Sequence, residues 1–224
     1  KQRSGTEYFE PKGLLVAKLL EHKSCINCVA VSPDQKIFIT GDDLGLLKFW
    51  NTERLEKNVT GLSMLSTSLG SSIKSISFIH NRNCFAVSTM NGYIKIFRID
   101  YVNNDLMDGS KSPSLSRFAS KSSNDISLTL IRHYYLDAED EYALNLQFSV
   151  KSTSPYLIFS TCSSKVMVLD IRSLKVVKVL QNDLRRGIPT SFVVDANQSW
   201  ILIGTSRGFL DLWNLQLELH LKSV

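Results

Sequence analysis

Few residues in the sequence have the type and spacing that chemistry requires. Cys25-Ile-Asn-Cys28 has the C-x-x-C spacing of metal and redox sites, but it falls in Ser24 to Val31, a stretch typical of a strand. Residues three apart on a strand point to opposite faces, so the two sulfurs cannot easily share one ion. We therefore expect all four cysteines, Cys84 and Cys162 included, to be buried structural thiols, and we expect no metal and no other cofactor.

A second motif suggests a hydrolase. Gly204-Thr-Ser-Arg-Gly208 matches G-x-S-x-G, the nucleophile elbow of α/β-hydrolases. An elbow needs a strand, a sharp turn and then a helix, whereas Phe209 to Trp213 alternates like a strand. The motif is therefore interpreted as a hairpin turn. The sequence contains no Walker loop, H-E-x-x-H or EF-hand spacing either, and we expect a protein without catalytic residues.

A pair of arginines is the third candidate. Leu184-Arg-Arg-Gly187 resembles the Phe-Arg-Arg-Gly motif of phosphoinositide-binding propellers, in which paired guanidiniums bind lipid phosphates. Leu184 stands in place of the phenylalanine. Arg185 and Arg186 are therefore candidate partner- or lipid-binding residues, and the alternative is an exposed basic loop.

Composition and charge limit the class of protein. A chain of 224 residues with 43% hydrophobic and 21% charged residues is typical of a globular protein. The net charge of +5 is not clustered, which argues against nucleic acid as a partner. No apolar run approaches the ~18 residues that span a bilayer, and Lys1 to Glu10 has no signal-peptide core, so we expect a cytoplasmic context.

Four internal repeats organise the chain. Their anchors lie 47, 72 and 44 residues apart, and a small residue lies five and again nine positions before each one. The anchors are Trp50-Asn51, Phe97-Arg98, Leu169-Asp170 and Trp213-Asn214. The small residues are Gly45, Gly92, Ser164 and Gly208, then Gly41, Ser88, Ser160 and Gly204. The first set suits tight hairpin turns.

Each repeat predicts several strands. Apolar runs at Ile37 to Thr40, Cys84 to Val87, Tyr156 to Phe159 and Trp200 to Ile203 predict strands buried on both faces. Preceding strands are expected at Ile26 to Val31, Ile73 to Phe78, Leu144 to Val150 and Thr190 to Val194. Outer strands are expected at Leu14 to Leu20, Ile126 to Tyr134, Val176 to Leu180 and Leu217 to Leu221. Sheets apolar on both faces must be stacked, and radial stacking gives an all-β propeller of four-stranded antiparallel blades.

The repeats carry a degraded WD signature. His22 lies 28 residues before Trp50, where the WD pattern has a histidine that bonds an aspartate in the turn before the anchor. That aspartate column contains Leu44, Asn91, Ser163 and Arg207, so the complete network is expected to be absent from every copy, with His22 bonding Asp42 or Asp43 instead. The structural repeat positions are His22, Gly45, Trp50, Gly92, Phe97, Asp170, Gly208 and Trp213.

The predicted domains are a tail at 1–10 and a partial propeller at 11–224, of about four blades from a ring of seven. Ending after the fourth anchor, the chain should leave one apolar blade face open. The long spacing comes from a serine-rich, basic insertion at 100–124, interpreted as a disordered loop with a possible phosphorylation site at Ser112-Pro113.

Two longer stretches, Pro11 to Ser24 and Ile188 to Thr205, resemble one family in particular. It is the C-terminal WD-repeat region of the protein-kinase-like regulatory subunit of the class III phosphatidylinositol 3-kinase complex. Asp183 to Gly187 fits the same register, which gives the arginine pair a second explanation.

The resemblance implies a non-catalytic scaffold that assembles the lipid kinase catalytic subunit with Beclin-like coiled-coil subunits. It implies work in endosomal or vacuolar sorting and autophagy, peripherally on endosomal, Golgi or vacuolar membranes. Two alternatives stay open: a phosphoinositide-binding propeller that uses Arg185 and Arg186, and a propeller like the G-protein β subunit that docks a Gα-type partner.

Overall fold

Sixteen strands form four antiparallel sheets in the computed structural model, which describes residues 13, 16–56, 61–79, 83–102, 125–137, 141–151 and 154–224. Each sheet contains four strands that follow one another in chain order, and we number the sheets as blades 1 to 4. The predicted four-blade propeller is confirmed.

The strand bounds are as follows. Blade 1 contains β1 (Ile26–Val31), β2 (Ile37–Asp42), β3 (Leu46–Asn51) and β4 (Leu65–Ser68), with helix α1 (Thr52–Glu56) before β4. Blade 2 contains β5 (Ile73–Phe78), β6 (Cys84–Thr89), β7 (Tyr93–Val102) and β8 (Asp125–Tyr135). Blade 3 contains β9 (Ala143–Lys151), β10 (Ser154–Thr161), β11 (Lys165–Asp170) and β12 (Lys175–Gln181). Blade 4 contains β13 (Pro189–Val194), β14 (Trp200–Thr205), β15 (Leu210–Asn214) and β16 (Leu219–Ser223), preceded by a 3-10 turn at Leu184–Arg186.

The apolar core lies between the blades, because the middle strands are apolar on both faces. Along β6, Phe85 and Val87 pack against blade 1, while Ala86 packs against blade 3. A third cluster joins blade 3 to blade 4 through residues such as Ile158 and Ile203. Burying a large apolar side chain contributes about 1.5–3 kcal/mol, so stacking supplies stability that a single blade lacks.

Hydrogen bonds also cross from blade to blade. The innermost strand β9 is a sheet edge, so alternate amides point away from its own sheet. The amides of Leu146 and Phe148 donate instead to the hydroxyls of Ser75 and Ser77 on β5, at 3.1 and 3.2 Å. Blade 2 therefore provides the partners that the edge of blade 3 would otherwise lack.

The predicted hairpin turns are present in all four blades. Gly45, Gly92 and Gly208 have φ of 83° to 84°, and Ser164 has φ of 62°. An added Cβ at Gly45 would lie 2.5 Å from the carbonyl oxygen of Ser71, because the next inter-blade loop packs on this turn. The hydrolase-like motif forms the fourth of these turns and leads into strand β15, as expected.

Some predicted strands are wrong. Residues 16–20 form no strand, whereas residues 14 and 15 lie outside the described part of the chain. The fourth strand of blade 1 is β4, whose Leu-Ser-Thr-Ser sequence alternates too weakly to be recognised. Strand β7 continues to Val102, so the predicted loop at 100–124 begins too early, and its residues 103–124, like the predicted tail, lie outside the described residues.

Blade 4 has one uncovered face. Trp200 and Leu202 on β14 are 43% and 37% exposed. The prediction that this strand is buried on both faces is therefore wrong. Val193 and Leu210 are exposed on neighbouring strands of the same blade. The apolar face expected to be open after the fourth anchor is therefore confirmed.

The small residue nine positions before the first anchor, Gly41, lies where blades 1 and 2 approach closely. A Cβ on Gly41 would lie 2.6 Å from Cγ2 of Ile73 and 2.9 Å from Sγ of Cys28. The equivalent Ser88 is buried, and its hydroxyl has no hydrogen-bond partner.

We predict that Gly41→Ala lowers the free energy of unfolding by about 1–3 kcal/mol, because the new methyl group overpacks the contact with blade 2. Ser88→Ala, in the same column, should leave stability unchanged or raise it, because the hydroxyl that it removes makes no bond. Urea denaturation of the two variants measures the difference. A loss of stability as large for Ser88→Ala as for Gly41→Ala would contradict this packing account.

Candidate functional site on the upper face

The hairpin turns before the anchors and the loops between blades lie at one end of the propeller, because the strands of each blade alternate in direction. We call this end the upper face. The polar groups of the described residues that lie there include a network in blade 1, a network in blade 4, and a cavity between the inner strands.

A continuous hydrogen-bond network ties the anchor of blade 1 to its turn. The indole nitrogen of Trp50 donates to Oγ1 of Thr40 at 2.8 Å, and that oxygen lies 2.6 Å from Nε2 of His22. Nδ1 of His22 lies 2.8 Å from Oδ2 of Asp42, whose other oxygen accepts the amides of Leu44 and Leu46. The predicted bond from His22 to Asp42 is confirmed, and it completes in this blade a network that we expected to be absent from every copy, because Asp42 lies at the end of β2, two residues before the expected column.

Burial alone would raise the pKa of Asp42. The hydrogen bonds from His22 and from the amides of Leu46 and Leu44 outweigh that effect, so the pKa lies below its ordinary value. Beside this group, Nζ of Lys48 lies 2.7 Å from Glu21, which also accepts two hydrogen bonds from Ser63. The contacts of His22 support the structural role predicted for it.

Blade 4 has a different network around a fully buried carboxylate. Asp211 accepts Nδ2 of Asn182 at 2.9 Å and Nη1 of Arg186 at 2.9 Å. Oδ1 of Asn182 accepts the indole of the anchor Trp213 at 3.1 Å. Asn182 therefore joins the anchor to the carboxylate, a link that in blade 1 runs through a threonine and a histidine.

The ion pairs of blades 1 and 4 occupy one column with opposite polarity. Lys48 and Asp211 each lie two residues before a tryptophan anchor, and their partners Glu21 and Arg186 come from the segments that precede the first strands of their blades. Burial would raise the pKa of Asp211, but Ser223, Asn182 and Arg186 together hold it below its ordinary value. The sequence signal that could have revealed the site is a charge inside an apolar strand, since buried charges are paired.

Three side chains of blade 4 have the residue types of a catalytic triad but not its geometry. The Nε2 atom of His220 lies 2.9 Å from Oγ of Ser223 and 3.4 Å from Asp211. A triad histidine bridges serine and aspartate through its two different nitrogens, whereas here one nitrogen faces both. The hydroxyl of Ser223 donates directly to Asp211, so the group is a structural network.

The predicted arginine pair is divided between two environments. The guanidinium of Arg186, 30% exposed, contacts Asp211, His220 and Ser223. Arg185 is exposed, and its backbone amide donates to the side chain of Asp183, which caps the 3-10 turn. The two guanidiniums are therefore not arranged as a pair that grips one phosphate.

The other predicted repeat positions are structural. Phe97 is buried and stacks on Phe85 with ring centroids 5.6 Å apart. Asp170 accepts the amide of Arg172 and the hydroxyl of Ser173 in the turn that follows β11.

The cysteines only partly follow the sequence prediction. Cys84 is buried, whereas Cys28 and Cys162 are half-buried. Burial raises the pKa of the Cys28 thiol to about 12. Cys25 is exposed, because it precedes the first residue of β1 and lies in the loop at the upper face, which corrects its assignment as buried.

No three metal-binding side chains gather within the described residues. No helix there is long and apolar enough to cross a membrane.

A cavity of about 300 Å³ opens between the first residues of the four inner strands. Sequence reasoning missed it, because its residues belong to strands of all four blades and to one loop. It is lined by Asn27, Lys74, Leu144, Asn145, Ile188, Pro189 and Thr190. We call it the channel-mouth cavity.

The fold and its repeats define a WD-repeat β-propeller. A family model described as WD domain, G-beta repeat matches residues 13–51, which include His22, Asp42 and the anchor Trp50. The matched segment is therefore the blade whose network is complete.

The chain is homologous to VPS15 serine/threonine-protein kinases over 95% of its length. It is 38% identical to the Komagataella pastoris protein, 27% to that of Saccharomyces cerevisiae and, over 96% of the chain, 28% to that of Arabidopsis thaliana. It spans only 15%, 14% and 14% of these relatives. The segment itself is a WD-repeat propeller and not a kinase domain.

We predict that Arg186→Ala lowers the free energy of unfolding by about 1–3 kcal/mol, because it leaves the buried Asp211 without its cation. Arg185→Ala removes the same charge from an exposed side chain and should change stability by less than about 0.5 kcal/mol. Thermal and urea denaturation compare the variants. Equal effects would contradict the structural assignment of Arg186.

Acid should weaken blade 4 in a way that depends on Asp211. Since its folded pKa lies below the ordinary 3.8, the carboxylate stabilises the fold above that pH, and its contribution is lost as the pH falls through the depressed pKa. The stability gap between the wild type and Asp211→Asn should therefore be largest near neutral pH and shrink in acid. Urea denaturation across this range tests it, and parallel curves would contradict it.

Proposed function

We propose that the chain is a non-catalytic interaction scaffold, the propeller of a regulatory subunit that assembles a class III phosphatidylinositol 3-kinase complex. The observation that carries the proposal is homology to VPS15 proteins along 95% of a chain that folds as stacked WD blades. The polar networks of blades 1 and 4 hydrogen-bond each anchor tryptophan to a neighbouring strand or loop, which is a structural role.

The coarser role follows from the relatives: homology to VPS15 proteins supports a regulatory role in vacuolar protein sorting. Within it, we propose that the partners are the lipid kinase catalytic subunit and Beclin-like coiled-coil subunits, and that the complex serves endosomal sorting and autophagy. The proposed location is the cytoplasmic face of endosomal, Golgi or vacuolar membranes, reached through the complex.

The upper face offers the apolar area that partner binding needs. Leu44 and Met90, in the turns of blades 1 and 2, are 67% and 51% exposed, and Leu184 in the 3-10 turn is 63% exposed. Exposed apolar side chains gathered on one face are typical of protein interfaces.

The two alternatives receive less support. Phosphoinositide binding through the predicted pair Arg185 and Arg186 conflicts with the engagement of Arg186 by Asp211. No contact of the described residues favours a Gα-type partner over any other protein.

The test is co-purification of the intact protein with the kinase catalytic and coiled-coil subunits, with phosphoinositide liposomes assayed in parallel. We expect subunit binding that Arg185→Ala does not change, because the scaffold requires no free guanidinium pair. A double variant, Leu44→Ser with Met90→Ser, should weaken it, whereas Val177→Ser, 49% exposed on outer strand β12, should not. Failure to bind any subunit, together with liposome binding lost in Arg185→Ala, would contradict the proposal.

A further inference from the structure

The channel-mouth cavity combines amide, cationic and apolar groups. Asn27 and Asn145 each donate Nδ2 to a backbone carbonyl of the next blade, those of Ile73 at 2.9 Å and Thr190 at 2.7 Å. Nδ2 of Asn27 also donates to Asp43 at 3.2 Å, so both of its N–H groups are used, and each of the two side chains keeps an amide oxygen that can accept a hydrogen bond in the cavity that it lines. Such oxygens accept hydrogen bonds from N–H donors.

Lys74 supplies a cation beside these oxygens. Its ammonium lies 3.7 Å from Asp43 and 6.0 Å from the centroid of the Tyr142 ring. Asp43 makes closer contacts with Ser72 at 2.6 Å and Asn27 at 3.2 Å. Since an ammonium has three donors, Lys74 can bind a further acceptor, and with 22% of its side chain exposed it does so only within a recess.

Two more cations, Arg185 and Arg207, lie in blade 4 next to the wall of the cavity. Ile188, which lines the cavity and is 38% exposed, bonds through its backbone to Ser206. The next residue, Arg207, packs on Gly187 and donates to the carbonyl of Arg185 at 2.7 Å. Neither Arg185 nor Arg207 has an acidic partner among the described residues. These two arginines therefore form an unneutralised basic strip beside the exposed apolar side chains of Leu184 and Ile188.

We propose that this surface binds an acidic and apolar peptide segment of a partner protein. One carboxylate enters the channel-mouth cavity and meets Lys74, the peptide N–H groups donate to Asn27 and Asn145, and apolar side chains lie on Ile188 and Leu184. A further acidic residue meets Arg207. The inference rests on the proposed scaffold function, since it specifies the chemistry of one partner.

The arrangement favours a peptide over a lipid surface. Lys74, with 22% of its side chain exposed, lies in a recess that a flat membrane does not reach, and the amide oxygens of Asn27 and Asn145 can accept hydrogen bonds from peptide N–H groups. A phosphate group, by contrast, has no N–H donor for these oxygens. Because Asp211 holds Arg186, a lipid phosphate at this edge would have to bind Arg185 and Arg207 instead.

The test selects binders to the intact protein from a phage-displayed library of short random peptides. We expect sequences rich in Asp and Glu next to Leu, Ile and Val. A synthetic peptide of the selected sequence should bind Lys74→Gln about tenfold more weakly by fluorescence anisotropy, because a charged hydrogen bond is lost. Arg207→Gln should weaken it as well.

Lys175→Gln is the matched control, because Lys175 is an exposed lysine at the start of outer strand β12, at the opposite end of the blade. Selected peptides without acidic residues, or equal losses for Lys74→Gln and Lys175→Gln, would overturn the proposal. So would displacement of the peptide by vesicles of phosphatidylcholine with phosphatidylinositol 3-phosphate that bind through Arg207. If the kinase subunits still co-purify with the wild-type protein in these cases, only the proposed peptide site is contradicted. If the wild-type protein binds no kinase subunit, the proposed scaffold function is contradicted.

Discussion

Every blade depends on contact with its neighbours, because its middle strands are apolar on both faces. Phe85 faces blade 1 and Ala86, the next residue, faces blade 3, so no single sheet can bury its own core. Close approach then requires small residues, which explains Gly41 and the buried, unpartnered hydroxyl of Ser88. Blade 4 has an exposed apolar face, which includes Trp200 and Leu202.

The polar networks of blades 1 and 4 also stabilise the propeller. Trp50 and Trp213 are each tied to a buried carboxylate, Asp42 and Asp211, by different intermediates. An arginine predicted to meet a ligand, Arg186, is instead the counterion of one of them. Among the described residues, the upper face offers partners exposed apolar turns, the channel-mouth cavity and the strip around Arg207.

The sequence predicted the blades well, because their strands and turns are local patterns: an apolar run, a residue such as Gly92 with positive φ, then an anchor. Strand β4 was missed because its serines and threonine carry no apolar alternation. The networks were missed for another reason. Asp211 meets Arg186 from 25 residues away in sequence, and Asn27 and Asn145 share a cavity only because the inner strands converge. Such proximity arises from tertiary packing.

The most direct test of stacking is amide hydrogen exchange at Leu146 in the intact protein. This amide points away from its own sheet, and its partner is the hydroxyl of Ser75 in the neighbouring blade. We predict that it exchanges as slowly as amides inside the sheets, and that Ser75→Ala accelerates its exchange. Rapid exchange at Leu146 in the wild type, as for a solvent-exposed amide, would show that blades 2 and 3 do not pack as described.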